Sequence, residues 1–256
     1  MKKIWIFLWI VCCALYSSCS LLEVEPVSTI TSQSFWKNSG DAKAYLTGIY
    51  NKVRALNNTS LYGEDRGDAF KVGEIGPSTN AWAQNLLENN APSYRDAYNI
   101  IHHTNLLLYK IDGLSFTNEA DKNRIKAETY YLRAQTYFFL VRIWGDVPIL
   151  LDPVLSDKIE LKPRSPKEEV MKQILSDIEQ SLSLFPEEGF VNKNYSSKPA
   201  AYALKADALL WKAKVLSGGD SDLNEAVNAI NEVEKSGVEL LPEYASVFNN
   251  ANNYIN

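Results

Sequence analysis

Apolar residues recur at three- and four-residue intervals through most of this chain, and almost nowhere at the alternating positions that a half-buried strand needs. The first such stripe is Ala42, Tyr45, Leu46, Ile49, Val53 and Leu56, with Ser39 or Asp41 placed to cap it. From Asn57 to Pro92 the period breaks, and Gly63, Gly67, Gly73, Gly76 and Pro77 mark a loop region. A second stripe, Tyr94, Ala97, Tyr98, Ile101, Leu108 and Ile111, stops at Gly113, and Thr117 or Asn118 can cap a third helix over 119–143. That helix carries Ala127, Tyr131, Ala134, Phe138 and Val141 on one face and Ile125, Leu132, Phe139 and Ile143 on another, so it is predicted to have neighbours on two sides. Trp144-Gly145-Asp146-Val147-Pro148 ends it, because glycine closes a helix terminus and proline cannot continue one. Further stripes predict helices over 167–185 (Val170, Ile174, Ile178, Leu182, Phe185), 199–216 (Ala201, Leu204, Ala208, Trp211, Val215) and 222–235 (Leu223, Ala226, Ile230, Val233). The expected fold is all-α.

The last pair has a recognisable shape. Helix, a Gly218-Gly219-Asp220 turn, then a second helix, with small alanines where the two would cross, matches a tetratricopeptide unit with its period of about 34 residues, although the unit lacks the usual glycine and proline of such repeats. A single helix pair cannot bury both its faces, so stacking of units into a helical-repeat scaffold is implied.

One apolar run has no period. Met1-Lys2-Lys3, then Ile4 to Tyr16, then Ser17-Ser18-Cys19 follow the basic, hydrophobic, small-residue order of a secretory signal. The run is too short to span a bilayer, which takes about 20 apolar residues. Small residues directly before a cysteine resemble the lipobox of bacterial lipoproteins, although Tyr16 stands where that pattern prefers leucine. The resemblance implies that residues 1–18 are removed, that Cys19 is acylated, and that residues 19–40 form an anchor and extended tether ahead of a helical domain over 41–256. Pro26 and the run Ser28-Thr29-Ile30-Thr31-Ser32 suit such a tether.

Composition narrows the picture further. Cys12, Cys13 and Cys19 are the three cysteines, so a chain beginning at Cys19 has no disulfide and is held by its core. With 46% hydrophobic residues it can build one. Loss of Lys2 and Lys3 moves the formal charge from −5 to −7, and no basic cluster follows residue 18. Such a surface argues against nucleic acid and against electrostatic docking on anionic lipid, leaving the lipid anchor to hold the membrane.

Several phrases then occur in order: Leu22-Glu23-Val24-Glu25-Pro26, Ser34-Phe35-Trp36, Tyr98-Asn99-Ile100-Ile101 with Asn105, and Arg133-Ala134-Gln135-Thr136-Tyr137-Phe138 running into Trp144-Gly145-Asp146-Val147-Pro148. Arg164-Ser165-Pro166, Ser197-Lys198-Pro199-Ala200-Ala201 and Val247-Phe248 follow. Together they resemble the RagB/SusD family of lipid-anchored outer-membrane nutrient-binding proteins. The resemblance implies a tetratricopeptide-like scaffold that binds oligo- or polysaccharide, without catalysis or cofactor, exposed on the cell surface beside a SusC-like TonB-dependent outer-membrane transporter. Family chains are considerably longer, and this one stops in Asn249-Asn250-Ala251-Asn252-Asn253, so it is expected to hold the N-terminal part of the scaffold.

Sugar binding needs aromatic faces with amide and carboxylate groups around them, and function concentrates on loops held by a rigid scaffold. The stretch 61–94 supplies Tyr62, Asp65, Arg66, Asp68, Asn80, Trp82, Gln84 and Tyr94. Trp82 with Asn80 leads the candidates, followed by Tyr62, Asp65 and Arg66; the resemblance places sugar binding in this part of the chain. His102 and His103 point about 100 degrees apart on a helix and do not form a metal pair. Asn105, inside an apolar stripe, reads as a buried amide bonded to backbone, and Tyr130, Tyr131, Tyr137, Phe138 and Phe139 as core. Asp65 with Asp68, or Glu187 with Glu188, would be the carboxylates of a glycoside hydrolase, a competing reading. Another is a lipid-anchored scaffold that binds only protein partners.

Overall fold

Asn38, rather than Ser39 or Asp41, opens the first helix, α1 (Ser39–Asn57). Its Oδ1 accepts the Gly40 N–H at 2.8 Å, and the Asp41 carboxylate reaches back to the N–H groups of Lys37 and Asn38 at 2.9 Å each. Asp41 is therefore the reciprocal partner of a capping box whose cap lies one residue ahead of Ser39. The computed structural model describes residues 35–57, 93–156, 161–190, 192–237 and 243–248, with 83–85, 87 and 89 between them. The expected leader, Cys19 and most of the tether lie outside the described residues. Two compact units divide the chain, Met1–Trp36 and Lys37–Asn256; in the first, the Phe35 and Trp36 rings meet edge to face at 5.1 Å.

The second unit continues with α2 (Arg95–Ile111), α3 (Glu119–Trp144), α4 (Lys167–Leu184), α5 (Lys198–Val215), α6 (Asp220–Glu234) and a short 3-10 turn at Tyr244–Phe248. Asn118 caps α3 by accepting the Ala120 N–H at 2.9 Å, and Ser197 caps α5 by accepting that of Ala200, with Pro199 in the first turn. Gly145 ends α3 at φ 68°, a left-handed conformation that favours glycine, and its N–H returns to the Val141 carbonyl. The N-terminus of α4 takes its cap from far along the chain: the Asp146 carboxylate accepts the Lys167 N–H at 2.9 Å. Among the described residues, β pairing is confined to one antiparallel bridge, Val147 with Ser165, and no helix is long and apolar enough to cross a membrane.

Helix α3 packs on α2 and α4, as its two apolar faces predict, and also touches α1; α4 leads to α5 and α5 to α6. Sequential helices pair and the pairs stack, which is the tetratricopeptide-like arrangement. Tyr137, Phe138, Val141, Ile174, Ile178, Ala201 and Ala208 form its centre. Tyr137 and Phe138 are fully buried, whereas Tyr130, Tyr131 and Phe139, read as core, sit half-buried on the flanks of α3. The predicted stripes also overreach at the far end. Val215 is 48% and Ile230 42% exposed, because α6 packs chiefly on α5 through the small residues Ala226 and Ala229 against Ala206 and Leu209. Tyr94, assigned to the stripe of α2, stands just before it and is likewise exposed.

The turn between α5 and α6 leaves no room for a side chain at Gly218. A Cβ on Gly218 would lie 2.8 Å from the Ala213 Cα and closer still to the Asp222 carboxylate, which pairs with Lys212 at 2.6 Å. Gly218→Ala is expected to cost about 1–3 kcal/mol by forcing backbone apart, measured by urea denaturation; an unchanged midpoint would show that the turn opens freely.

Candidate functional site

The loop candidates Tyr62, Asp65, Arg66, Asn80 and Trp82, with Asp68, lie outside the described residues. What the structure describes is the frame from which their segment departs and to which it returns. Helices α1 and α2 pack on each other, and the Tyr45 hydroxyl lies 2.5 Å from His103 Nδ1. Burial, with Lys52 and His102 adding to it, holds the His103 imidazole down at about 4. His102 Nδ1 accepts the Val154 N–H at 3.3 Å, so both histidines serve contacts between elements. Near the end of the segment, Gln84 adopts a φ of 54°, and the Tyr94 ring rests edge-on against Tyr98 and Trp144.

Behind this frame sits a buried polar network. Asn105 donates to the carbonyls of Leu150 (2.9 Å) and Asp152 (3.3 Å), bearing out its reading as a backbone-bonded amide. Its Oδ1 accepts from Arg133 at 2.9 Å, and Arg133 grips the Asp177 carboxylate with two further bonds of 2.8 and 2.6 Å. The Tyr137 hydroxyl donates to the Leu150 carbonyl and accepts the Leu150 N–H, while Tyr98 donates to the Pro148 carbonyl. The chain after α3 is thereby strapped across α2 and α3, and every one of these groups is a structural one.

Two clefts open beside α1. The first, about 480 Å³, is walled by Leu46, Phe116, Ile125 and Phe185, with Lys43, Asp121, Arg124, Glu128, Glu187 and Asn192 among them. The second, about 670 Å³, is lined by Asn51, Arg54, Tyr131, Gln135, Lys193 and Asn194. Thr47, Tyr195 and Ser196 belong to both. Between the clefts, the Tyr50 hydroxyl donates to Glu128 at 2.6 Å, lies 2.6 Å from the Ser196 hydroxyl and accepts the Ser196 N–H at 2.9 Å. Burial pushes the Glu128 carboxyl up to about 7, against the pull of the Tyr50 bond and of Arg124. Glu128 was not among the sequence candidates, yet its signal is present: a carboxylate between Ile125 and Leu132, three and four positions away on one helical face.

The proposed hydrolase pair fares differently. Arg124 binds Glu187 through two nitrogens, and Lys198 holds Glu188 at 2.7 Å, so each carboxylate is committed to its own cation. Asp65 and Asp68 fall outside the described residues. Among the described residues no cluster of histidine, cysteine and carboxylates has the makings of a metal site.

Comparison with known proteins places this geometry. A family model for SusD-like proteins, described as starch-binding and associating with the outer membrane, matches residues 22–210. A SusD-like protein of Formosa agariphila is 33% identical over 222 residues, 82% of this chain and 41% of its own length. The solved structure of NanU from B. fragilis superposes with a TM-score of 0.75 at 30% identity, covering 88% of this chain and 47% of that one. A SusD superfamily protein of Bacteroides vulgatus gives 0.74 at 32% identity, covering 86% and 47%. The chain spans about half the length of the relatives it matches. From the family match over most of its length and the shared helical stack, the chain belongs to the SusD-like family.

Proposed function

We propose that the protein is a non-catalytic, glycan-binding lipoprotein, anchored through Cys19 in the outer membrane and facing the cell exterior. It presents oligo- or polysaccharide to a SusC-like TonB-dependent transporter. The observation that carries this reading is the match of residues 22–210 to a family described as starch-binding and associating with the outer membrane. The described architecture is consistent with it: α1 ends at Asn57 before the 61–94 segment and α2 begins at Arg95 after it, and rigid elements that support a binding loop reduce the entropy lost on binding. Trp82 would stack on a sugar ring, with Asn80, Tyr62, Asp65 and Arg66 meeting hydroxyls.

Affinity electrophoresis through gels containing starch, β-glucans and other polysaccharides tests it. Retardation by at least one glycan, abolished in Trp82→Ala, is the expected result. Free migration in every gel, with transporter association retained in a pull-down, would replace the reading with a protein-only scaffold. Release of shorter products from the gel polysaccharide would replace it with a hydrolase.

A further inference from the structure

Tyr195 is 44% exposed, and a cleft lies on either side of it. Its ring is oriented by a perpendicular contact with that of Tyr50, 5.2 Å between centroids and 84° between planes. Tyr50 is itself fixed by Glu128 and by Ser196, the residue that follows Tyr195 in the chain. An exposed aromatic ring whose orientation is set in advance loses little conformational freedom when a ligand settles on it. The flanking hollows, about 480 and 670 Å³, fall in the size range of small-molecule sites, roughly 300–1,000 Å³.

Their chemistry indicates the ligand. The first hollow has an aromatic wall in Phe116 and Phe185, and its cations, Lys43 and Arg124, nearly balance Asp121, Glu128 and Glu187. A strongly charged ligand would gain little there. The second hollow offers side-chain amides, Asn51, Gln135 and Asn194, which both donate and accept, as vicinal hydroxyls require, beside the cations Arg54 and Lys193. A ligand apolar on one face, rich in hydroxyls on its edges and long enough to cross a ring is a sugar chain.

We propose that Tyr195 is a stacking platform for an oligosaccharide, which lies across the ring with sugar units in the hollows on both sides. The site rests on the glycan-binding reading above and adds a subsite remote in sequence from Trp82. Isothermal titration of the full chain with linear α-1,4- and β-1,3-glucan oligosaccharides of increasing length tests it, using Tyr195→Ala, Tyr195→Phe, Arg54→Ala and Trp82→Ala. Tyr195→Ala is expected to weaken binding of the longer oligosaccharides about tenfold, and Tyr195→Phe, which keeps the ring, by less than about twofold. Arg54→Ala, at the second hollow alone and exposed, is expected to weaken binding only of chains long enough to cross Tyr195. Full affinity in both Tyr195→Ala and Arg54→Ala, with binding lost in Trp82→Ala, would overturn the platform and leave the functional reading intact. Wild-type protein that binds neither series would overturn the platform, and retardation in the polysaccharide gels would then decide the functional reading separately.

Discussion

Arg133→Met is expected to destabilise the protein by about 3–5 kcal/mol, the cost of removing one partner from a buried ion pair. The Arg133 and Asp177 side chains are 8% and 2% exposed, and their two-pronged contact is completed by Asn105 on the guanidinium and by Gln173, which donates to Asp177 at 2.9 Å. Burial raises the Asp177 carboxyl, and the Arg133 bonds oppose that rise. Without Arg133 the burial of Asp177 is opposed only by the Gln173 bond, and Asn105 also loses the donor that orients it toward Leu150 and Asp152. At this chain length the loss corresponds to a fall in Tm on the order of 10 °C, readable by circular dichroism. The double variant Arg133→Met with Asp177→Leu is expected to recover most of it, since a well-packed apolar pair can replace a buried ionic one. A single variant that melts with wild type would mean that Asp177 is already neutral in the fold and that the pair contributes nothing.

Glu128→Gln is expected to stabilise the protein at pH 8 and to leave it unchanged near pH 4. The folded state holds the Glu128 proton up to about 7, against an ordinary value near 4.5. Between those values the native chain binds a proton that the unfolded chain has released, so stability falls as pH rises through this window. Glutamine keeps an acceptor for the Tyr50 hydroxyl without the buried charge, and the gain above pH 7 should reach roughly 2–3 kcal/mol. His103 slopes the other way. Its folded value of about 4 lies below the ordinary 6.5, so its contribution is lost as pH falls between them. That slope is common to both proteins and cancels in their difference. Urea denaturation across pH 4–8 supplies the curves; parallel curves would show that Glu128 ionises in the fold as it does in water.

The helices were legible because their information is local. Predicted spans of 119–143 and 167–185 stand beside observed Glu119–Trp144 and Lys167–Leu184, since caps and glycine stops act within one turn. Asn105 was also legible, as an amide in an apolar stripe. Arg133 was visible only as part of a family phrase; its partner lies 44 residues away, and no periodicity announces a contact across that distance. The same is true of Asp146, which caps a helix starting 21 residues later. The exposure of Ile230 was missed for a related reason. A stripe shows that a face is apolar, while burial depends on whether another element arrives to cover it. The clefts were invisible to pattern reading, because Tyr50, Glu128 and Tyr195 come from three separate parts of the chain.

The Val147–Ser165 bridge and the bond from Lys167 to Asp146 pinch the excursion between α3 and α4 at its neck, and Asn105 and His102 hold it as far as the Val154 N–H. Beyond that grip the crossing of the two helices no longer depends on how much chain lies outside. Lengthening a closed loop is cheap, about 0.6 kcal/mol for each doubling. Val154, Leu155 and Leu161 stand in water there. Relatives can therefore diversify this outer lobe, in size and in surface character, while the buried ion pair beneath it stays as it is.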